Sequence, residues 1–321
     1  MRRSLLALLA LVLALALGCS KSPGEDKAAG VERVKLALNW VPEPEFGGFY
    51  AARDSGAFAR EKLEVDIQGG GAGVPVVQMV ATGRAEFGIA GADEVLMARD
   101  KGALVVPLFA TFQISPQGLM AHASRGAAGI GDLLKDGVLA IEPGLPYAAF
   151  LKKKYGAFTA KVVPYDGGVA RFVADASVAQ QCYVTSEPIA AKKQGSDPKV
   201  FLVADEGFNP YVGVVITSAE TARNKPELVR AFVRAVRAGW ASYLAEPGPT
   251  NRVMAALNGA MDAETFAAAA VAQKPLIVGG DAVDKGVGTM TKERWETLAA
   301  QLAELGVLGK AAPVDFLVAV D

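Results

Sequence analysis

Up to Thr217 the chain alternates short apolar runs with amphipathic stretches, and beyond it the apolar runs stop. That alternation and its end constrain the fold more than any other feature. Residues 34–40, 63–68, 85–90 and 105–112 read as strands, being short and apolar with turn residues at their ends. Stretches 47–56, 74–82 and 94–101 between them read as helices. A second set follows, with strands at 118–122, 138–142, 161–164, 178–184 and 200–204, helices at 148–155, 169–174 and 188–194, and a last strand at 212–217. Strand, helix, strand in repetition predicts an α/β protein built on mainly parallel sheets covered on both faces. From there on the pattern is helical, at 228–244, 251–257, 263–272 and 292–305. Asp262 and Thr291 stand where helix caps belong.

The first residues carry a different signal. Met1-Arg2-Arg3-Ser4 precedes an uncharged apolar run from Leu5 to Leu17, then Gly18 and Cys19. This is the layout of a secretory leader, and the run is shorter than the roughly 18–20 residues that span a bilayer. The stretch LALGC ending at Cys19 resembles a bacterial lipobox, although alanine stands at the usual leucine position. Residues 1–18 are therefore expected to be a removed leader, Cys19 a lipid-bearing N-terminus, and 19–30 a polar tether with little to bury. The protein is expected to be exported and anchored by that lipid on the periplasmic side of a bacterial membrane. Cys182 is the only other cysteine, so acylation of Cys19 leaves no internal disulfide to form.

Several chemistries are excluded. The charge is nearly balanced, 33 basic against 34 acidic residues, without a basic patch for nucleic acid. His122 is the single histidine, so neither a histidine-based zinc site nor a Ser-His-Asp triad is supported, and its place in a strand-like run favours a structural role. No Walker loop and no G-x-S-x-G elbow occurs. The run Gly69-Gly70-Gly71-Ala72-Gly73 lacks the third glycine of a dinucleotide fingerprint and reads as a close approach of backbone to a ligand or a facing lobe. No cofactor and no metal is expected.

The run from Leu36 to Ala52, LALNWVPEPEFGGFYAA, resembles the opening of the NMT1/THI5-like solute-binding proteins. The resemblance continues through Gly56-Ala57-Phe58 to Val65, through QMVATGRAEFG from Gln78 to Gly88, through Ile130-Gly131-Asp132-Leu133 with Gly144-Leu145-Pro146, and through KPELVRAF from Lys225 to Phe232. It implies a type II periplasmic-binding-protein fold, two lobes joined by two crossovers around a cleft. Lobe one would comprise 31–117 and 217–321 and lobe two 118–216, with hinges near Ser115-Pro116-Gln117 and Gly213-Val214-Val215. It also implies an ABC permease and ATPase as partners and a small aromatic heterocycle of the thiamine-pyrimidine-precursor type as ligand, with riboflavin or nitrate and sulfonate as the alternatives. A pyrimidine synthase shares the fold, but its first-loop histidine is replaced here by Phe46 beside Glu45, and residues 206–213 lack its cysteine cluster; the chain is not expected to be an enzyme.

Ligands of open α/β sheets sit beyond the carboxyl ends of the strands. In lobe one this selects Asn39 and Trp40, an indole that either stacks on a ring or packs in the core, with Glu45, Phe46 and Tyr50 just after it. Asp93 and Glu94 follow the next strand, where Asp93 is placed equally well to cap a helix, and Gln113 ends the strand before the crossing. In lobe two the candidates are Gly144, Tyr147, Tyr183 and Glu187, with Tyr211 at the return crossing. The aromatic rings suit an aromatic ligand, the acids suit one with donor groups, and the lack of Arg or Lys argues against nitrate and sulfonate.

Overall fold

The computed structural model describes residues 30–309 and 314–317; the expected leader, Cys19 and the tether as far as residue 29 lie outside the described residues. Among the described residues ten strands form two sheets. Strands β1 (Glu32–Ala37), β2 (Leu63–Gln68), β3 (Phe87–Ala90) and β4 (Val105–Phe112) come first, then β5 (Gln117–His122), β6 (Val138–Ala140), β7 (Lys161–Val163), β8 (Val178–Tyr183) and β9 (Pro198–Leu202), and finally β10 (Val212–Ser218). The first sheet runs β2-β1-β3-β10-β4 and the second β7-β6-β8-β5-β9.

Each sheet is mixed, with four of its five strands running one way and a single strand opposing them. The cause is the return of the chain: β10 inserts between β3 and β4, antiparallel to both, and β5 lies antiparallel to β8 and β9. Since β10 belongs wholly to the first sheet, Gly213–Val215 are strand residues, and the second crossing falls before them, in 203–211. Pro107 sits in β4, at the sheet edge, where a missing N–H is tolerated; the register of β10 shifts between Val215 and Ile216, opposite this proline.

Helix Pro226–Ala245 holds the first sheet together. It buries Leu228, Phe232, Val236, Trp240 and Tyr243 along one side, and the Phe232 ring stacks on Phe87 at 3.7 Å. Against it lies helix Gly47–Asp54, so close that a Cβ on Gly239 would stand 2.1 Å from the Gly48 carbonyl oxygen. The expected caps form: Asp262 and Thr291 accept from the amides of Thr265 and Arg294. Helix Ala263–Val278 continues past the expected stop at 272 despite Pro275. Its Leu276 carbonyl then receives the amides of Gln113 and Ile114 from the first crossing, at 2.9 and 3.0 Å. The two crossings also meet, because the Ser115 amide donates to Asn209 Oδ1 at 2.8 Å.

His122 stacks on Phe172 at 4.1 Å and its Nε2 lies 2.6 Å from the Phe172 carbonyl, a packing role. Cys182 is buried and unpaired. Among the described residues no helix is long and apolar enough to cross a membrane.

Candidate functional site

Strand β1 ends at Ala37, so Asn39 and Trp40 stand in the loop beyond it rather than at its last rungs. The loop is pinned from below. The Gly70 amide donates to the Trp40 carbonyl at 2.8 Å, and a Cβ on Gly70 would lie 2.1 Å from the Leu38 carbonyl oxygen. The glycine run is thus required, at Gly70, for its approach to the first loop. Above this support Trp40 is 42% exposed, too open for a core tryptophan.

Its indole hydrogen-bonds Glu43, whose carboxyl burial nonetheless raises to about 7, with Glu187 adding to the rise. Burial raises Glu45 further, to about 8, and the charges of Glu43 and Glu187 push the same way. Asp93 is raised to about 6 by burial and by Glu94, against the pull of the Glu94 amide at 3.0 Å. No lysine or arginine enters the balance at any of the three. Asp93 is not the helix cap: helix Ala92–Asp100 begins earlier, and the Glu94 carboxylate reaches back to the Gly91 amide at 2.7 Å.

The second sheet supplies the facing wall. Tyr183 ends β8, and Glu187, at the start of helix Glu187–Lys193, accepts the Tyr183 amide at 2.7 Å and the Tyr165 hydroxyl at 2.6 Å. Burial raises the Tyr183 phenol well above its usual value, reinforced by Glu45, Asp93 and Glu94 from the first sheet and Glu187 from the second. Tyr147 is buried nearby, its phenol raised by burial with Glu142 and Glu187 adding. Gly144, at φ +83°, turns the loop into helix Pro146–Tyr155 with open space where a Cβ would stand. Glu43 and Tyr165, which sequence reasoning did not select, stand beside these candidates through their bonds to Trp40 and Glu187.

Four selected residues lie elsewhere. Phe46 and Tyr50 are buried, at 2% and 1% exposure, in the core of the first sheet, with the Arg53 guanidinium 5.0 Å from the Tyr50 ring. Gln113 is fully buried in the first crossing, its amide nitrogen donating to the carbonyls of Ala110 and Thr289. Tyr211 is buried in the second; its hydroxyl donates to Asp281 at 2.5 Å and accepts the Thr291 amide, and Arg294 covers its ring at 3.9 Å. Gln113 and Tyr211 thus hold the crossings, while Phe46 and Tyr50 pack in the core.

What remains is a set of carboxyls raised by burial, Glu43, Glu45 and Asp93 on the first sheet's side, with Tyr183 and Glu187 of the second sheet and one open indole. Among the described residues no group of three or more His, Cys, Asp or Glu is placed to hold a metal ion. The arrangement suits a ligand that brings N–H donors or positive charge, since each would stabilise the ionised carboxylates that burial disfavours. Beside Trp40 a cavity of about 410 Å³ opens, lined by Asn39, Val76, Ile89 and Met97 among others.

The raised carboxyls predict a pH dependence. Glu45 keeps its proton in the folded state up to about pH 8 but loses it near 4.5 when unfolded, so over that window the folded state binds more protons. This contribution is complete below about pH 4.5 and is lost as pH rises through 8. Thermal melts at pH 5.5 and 8.5 should show a smaller drop on alkalinisation in Glu45→Gln than in the wild type. Parallel drops would place Glu45 in water.

A family model described as NMT1/THI5 like matches residues 43–249. Riboflavin-binding protein RibY of Chloroflexus aurantiacus is 28% identical over 70% of this chain and 66% of its own length, so the match spans just under two thirds of that relative. A formylaminopyrimidine-binding protein of Halalkalibacterium halodurans is 25% identical over 78% of this chain and 77% of its own. In architecture the chain is similar to the periplasmic aliphatic sulphonate binding protein SsuA from Escherichia coli, with a TM-score of 0.70 at 12% identity, covering 90% of this chain and 92% of that one. That likeness establishes the two-lobed α/β fold of periplasmic binding proteins.

Proposed function

The chain belongs to the NMT1/THI5-like family, and we propose that it is the solute-binding component of an ABC importer, capturing a nitrogen heterocycle between its two sheets without converting it. One observation carries the reading: Glu43, Glu45 and Asp93 on the first sheet's side, raised toward neutrality by burial with no lysine or arginine in the balance, stand with Glu187 of the second sheet about Tyr183 and the exposed Trp40. An aminopyrimidine of the thiamine-precursor kind or a flavin brings a flat ring for Trp40 and N–H donors for Glu43, Glu45, Asp93 and Glu187. Asn39, Glu94, Tyr147, Tyr165 and Tyr183 complete the wall, and Gly144 shapes its loop. The names of the two curated relatives support this class. Nitrate and sulfonates are disfavoured, because an anion at Glu43, Glu45 and Asp93 would meet carboxyls with no lysine or arginine in their balance. The lobes close on the ligand about 113–116 and 203–211, and a lipid on Cys19 keeps the receptor on the periplasmic side beside its permease.

Mass spectrometry of the protein purified from membranes of its own host tests both parts. The native spectrum should contain a co-purifying nitrogen heterocycle, and the intact chain should begin at Cys19 and carry the mass of acyl chains. A bound sulfonate would contradict the first expectation, and an unmodified chain in the soluble fraction the second.

A further inference from the structure

Beyond the two crossings, the halves of the molecule also meet at the far end of helix Glu187–Lys193. Glu187 opens this helix beside the acids, and Lys193 closes it about 9 Å away at the usual rise per residue. There the Lys193 ammonium meets the first residues of helix Ala263–Val278, which packs on β4 of the first sheet. Its partners are Asp262 Oδ2 at 2.5 Å, Thr265 Oγ1 at 3.2 Å and Glu264 Oε2 at 3.3 Å. Asp262 already caps that helix by accepting the Thr265 amide at 2.9 Å, so little side-chain freedom is lost when the lysine joins it. The same helix then runs past the first loop, where buried Gln273 donates to the Pro44 carbonyl at 2.8 Å, between Glu43 and Glu45. It ends on the first crossing, whose Gln113 and Ile114 amides reach the Leu276 carbonyl. One helix thus carries Glu187, another steadies the loop of Glu43 and Glu45, and Lys193 fastens the two helices together.

We infer that Lys193 is a positioning residue for the ligand site: its bridge to Asp262 and Glu264 clasps the two halves before a ligand arrives and sets the separation of Glu187 from Glu43 and Glu45. The inference rests on the heterocycle-binding reading and adds to it a sensitivity to ionic strength. The side chains of Lys193 and Asp262 are 31% and 62% exposed, so dissolved salt reaches the pair and screens it. Affinity even for an uncharged ring then falls as salt rises, because a smaller fraction of the protein holds both walls in place. Lys153 and Glu304 also join the two halves, between helix Pro146–Tyr155 and helix Lys292–Glu304. Helix Lys292–Glu304 grips the second crossing, through Arg294 on the Asn209 carbonyl and Gln301 on that of Gly207, and steadies no loop of the site; this pair is the control.

Calorimetry of the intact chain with riboflavin and with formylaminopyrimidine, at about 20 mM and about 500 mM sodium chloride, reads the effect. Whichever probe binds the wild type should weaken about fivefold in high salt, the range of an exposed ion pair. Lys193→Gln should be about fivefold weaker already at low salt and respond little to more. Asp262→Asn, which removes the charge but keeps the cap, should change in the same direction, and both variants should melt close to the wild type. Lys193→Arg and Lys153→Gln should keep the wild-type affinity and its salt response. Variants as salt-sensitive as the wild type, or a wild type indifferent to salt, overturn the assignment. A second readout needs no ligand. A water-soluble carbodiimide, which joins an amine to a carboxylate in contact with it, should link Lys193 to Asp262 or Glu264 in the unliganded chain, with a lower yield in high salt, as mass mapping of the peptides would show. A missing link overturns the clasp whatever binds, whereas a link in a protein that binds neither probe overturns the heterocycle reading and leaves the clasp standing.

Discussion

Gly239→Ala should lower the melting temperature by about 6 °C or more, a net loss of about 2–3 kcal/mol. Helix propensity points the other way. In the middle of helix Pro226–Ala245 an alanine should add up to about 1 kcal/mol over glycine. The packing decides the sign, because the new Cβ would meet the Gly48 carbonyl oxygen at 2.1 Å, the Ala52 Cβ at 2.5 Å and the Ala52 nitrogen at 2.7 Å, and backbone cannot swing aside as a side chain can. The helix pair would have to separate, and it carries the first loop. Gly71→Ala is the matched control, since nothing lies within 4 Å of its added Cβ. A Gly239→Ala protein as stable as the wild type, measured by calorimetric melts, would show that the two helices do not meet in this way.

Trp40→Ala should weaken ligand binding tenfold or more with little change in melting temperature. Both parts follow from position. The ring is 42% exposed, so its removal opens far less buried space than the loss of a core tryptophan would. A bound heterocycle would lose a stacking face and the apolar area covered by it. The indole also donates to Glu43, so its loss removes one of the few contacts that favour the ionised carboxylate there. Unchanged affinity would move the ligand away from the first loop, and a collapsed fold would make Trp40 a packing residue.

The strand pattern carried most of the fold because each run is short, apolar and bounded by turn residues, a signal that does not depend on partners. Sheet order did not show in it. Nothing local tells β10 to return into the first sheet, and the hinge expected at Gly213–Val215 falls inside that strand. Trp40, Glu45, Asp93, Tyr183 and Glu187, the residues proposed for the ligand, were selected by a motif or a strand end, and the structure brings them together. The same rule selected Gln113 and Tyr211, because a strand end at a crossing looks like a strand end at a ligand; only Leu276, Thr289, Asp281 and Arg294, brought in from the last third of the chain, distinguish them. Phe46 and Tyr50 were hidden by a distant partner as well, the helix that Gly47 and Gly48 allow to press against theirs. Tyr165 lies between β7 and helix Ala170–Ala174 with no pattern of its own, and only its bond to Glu187 reveals it.

The central claim is that carboxyls and an open indole select a donor-bearing heterocycle and reject anions. Titration calorimetry of the wild-type protein with riboflavin, formylaminopyrimidine and an alkanesulfonate, at one pH near 7.5, tests it most directly. At least one heterocycle should bind a hundredfold or more tighter than the sulfonate, and Trp40→Ala should reduce that preference. A sulfonate that binds tightest of the three would contradict the account.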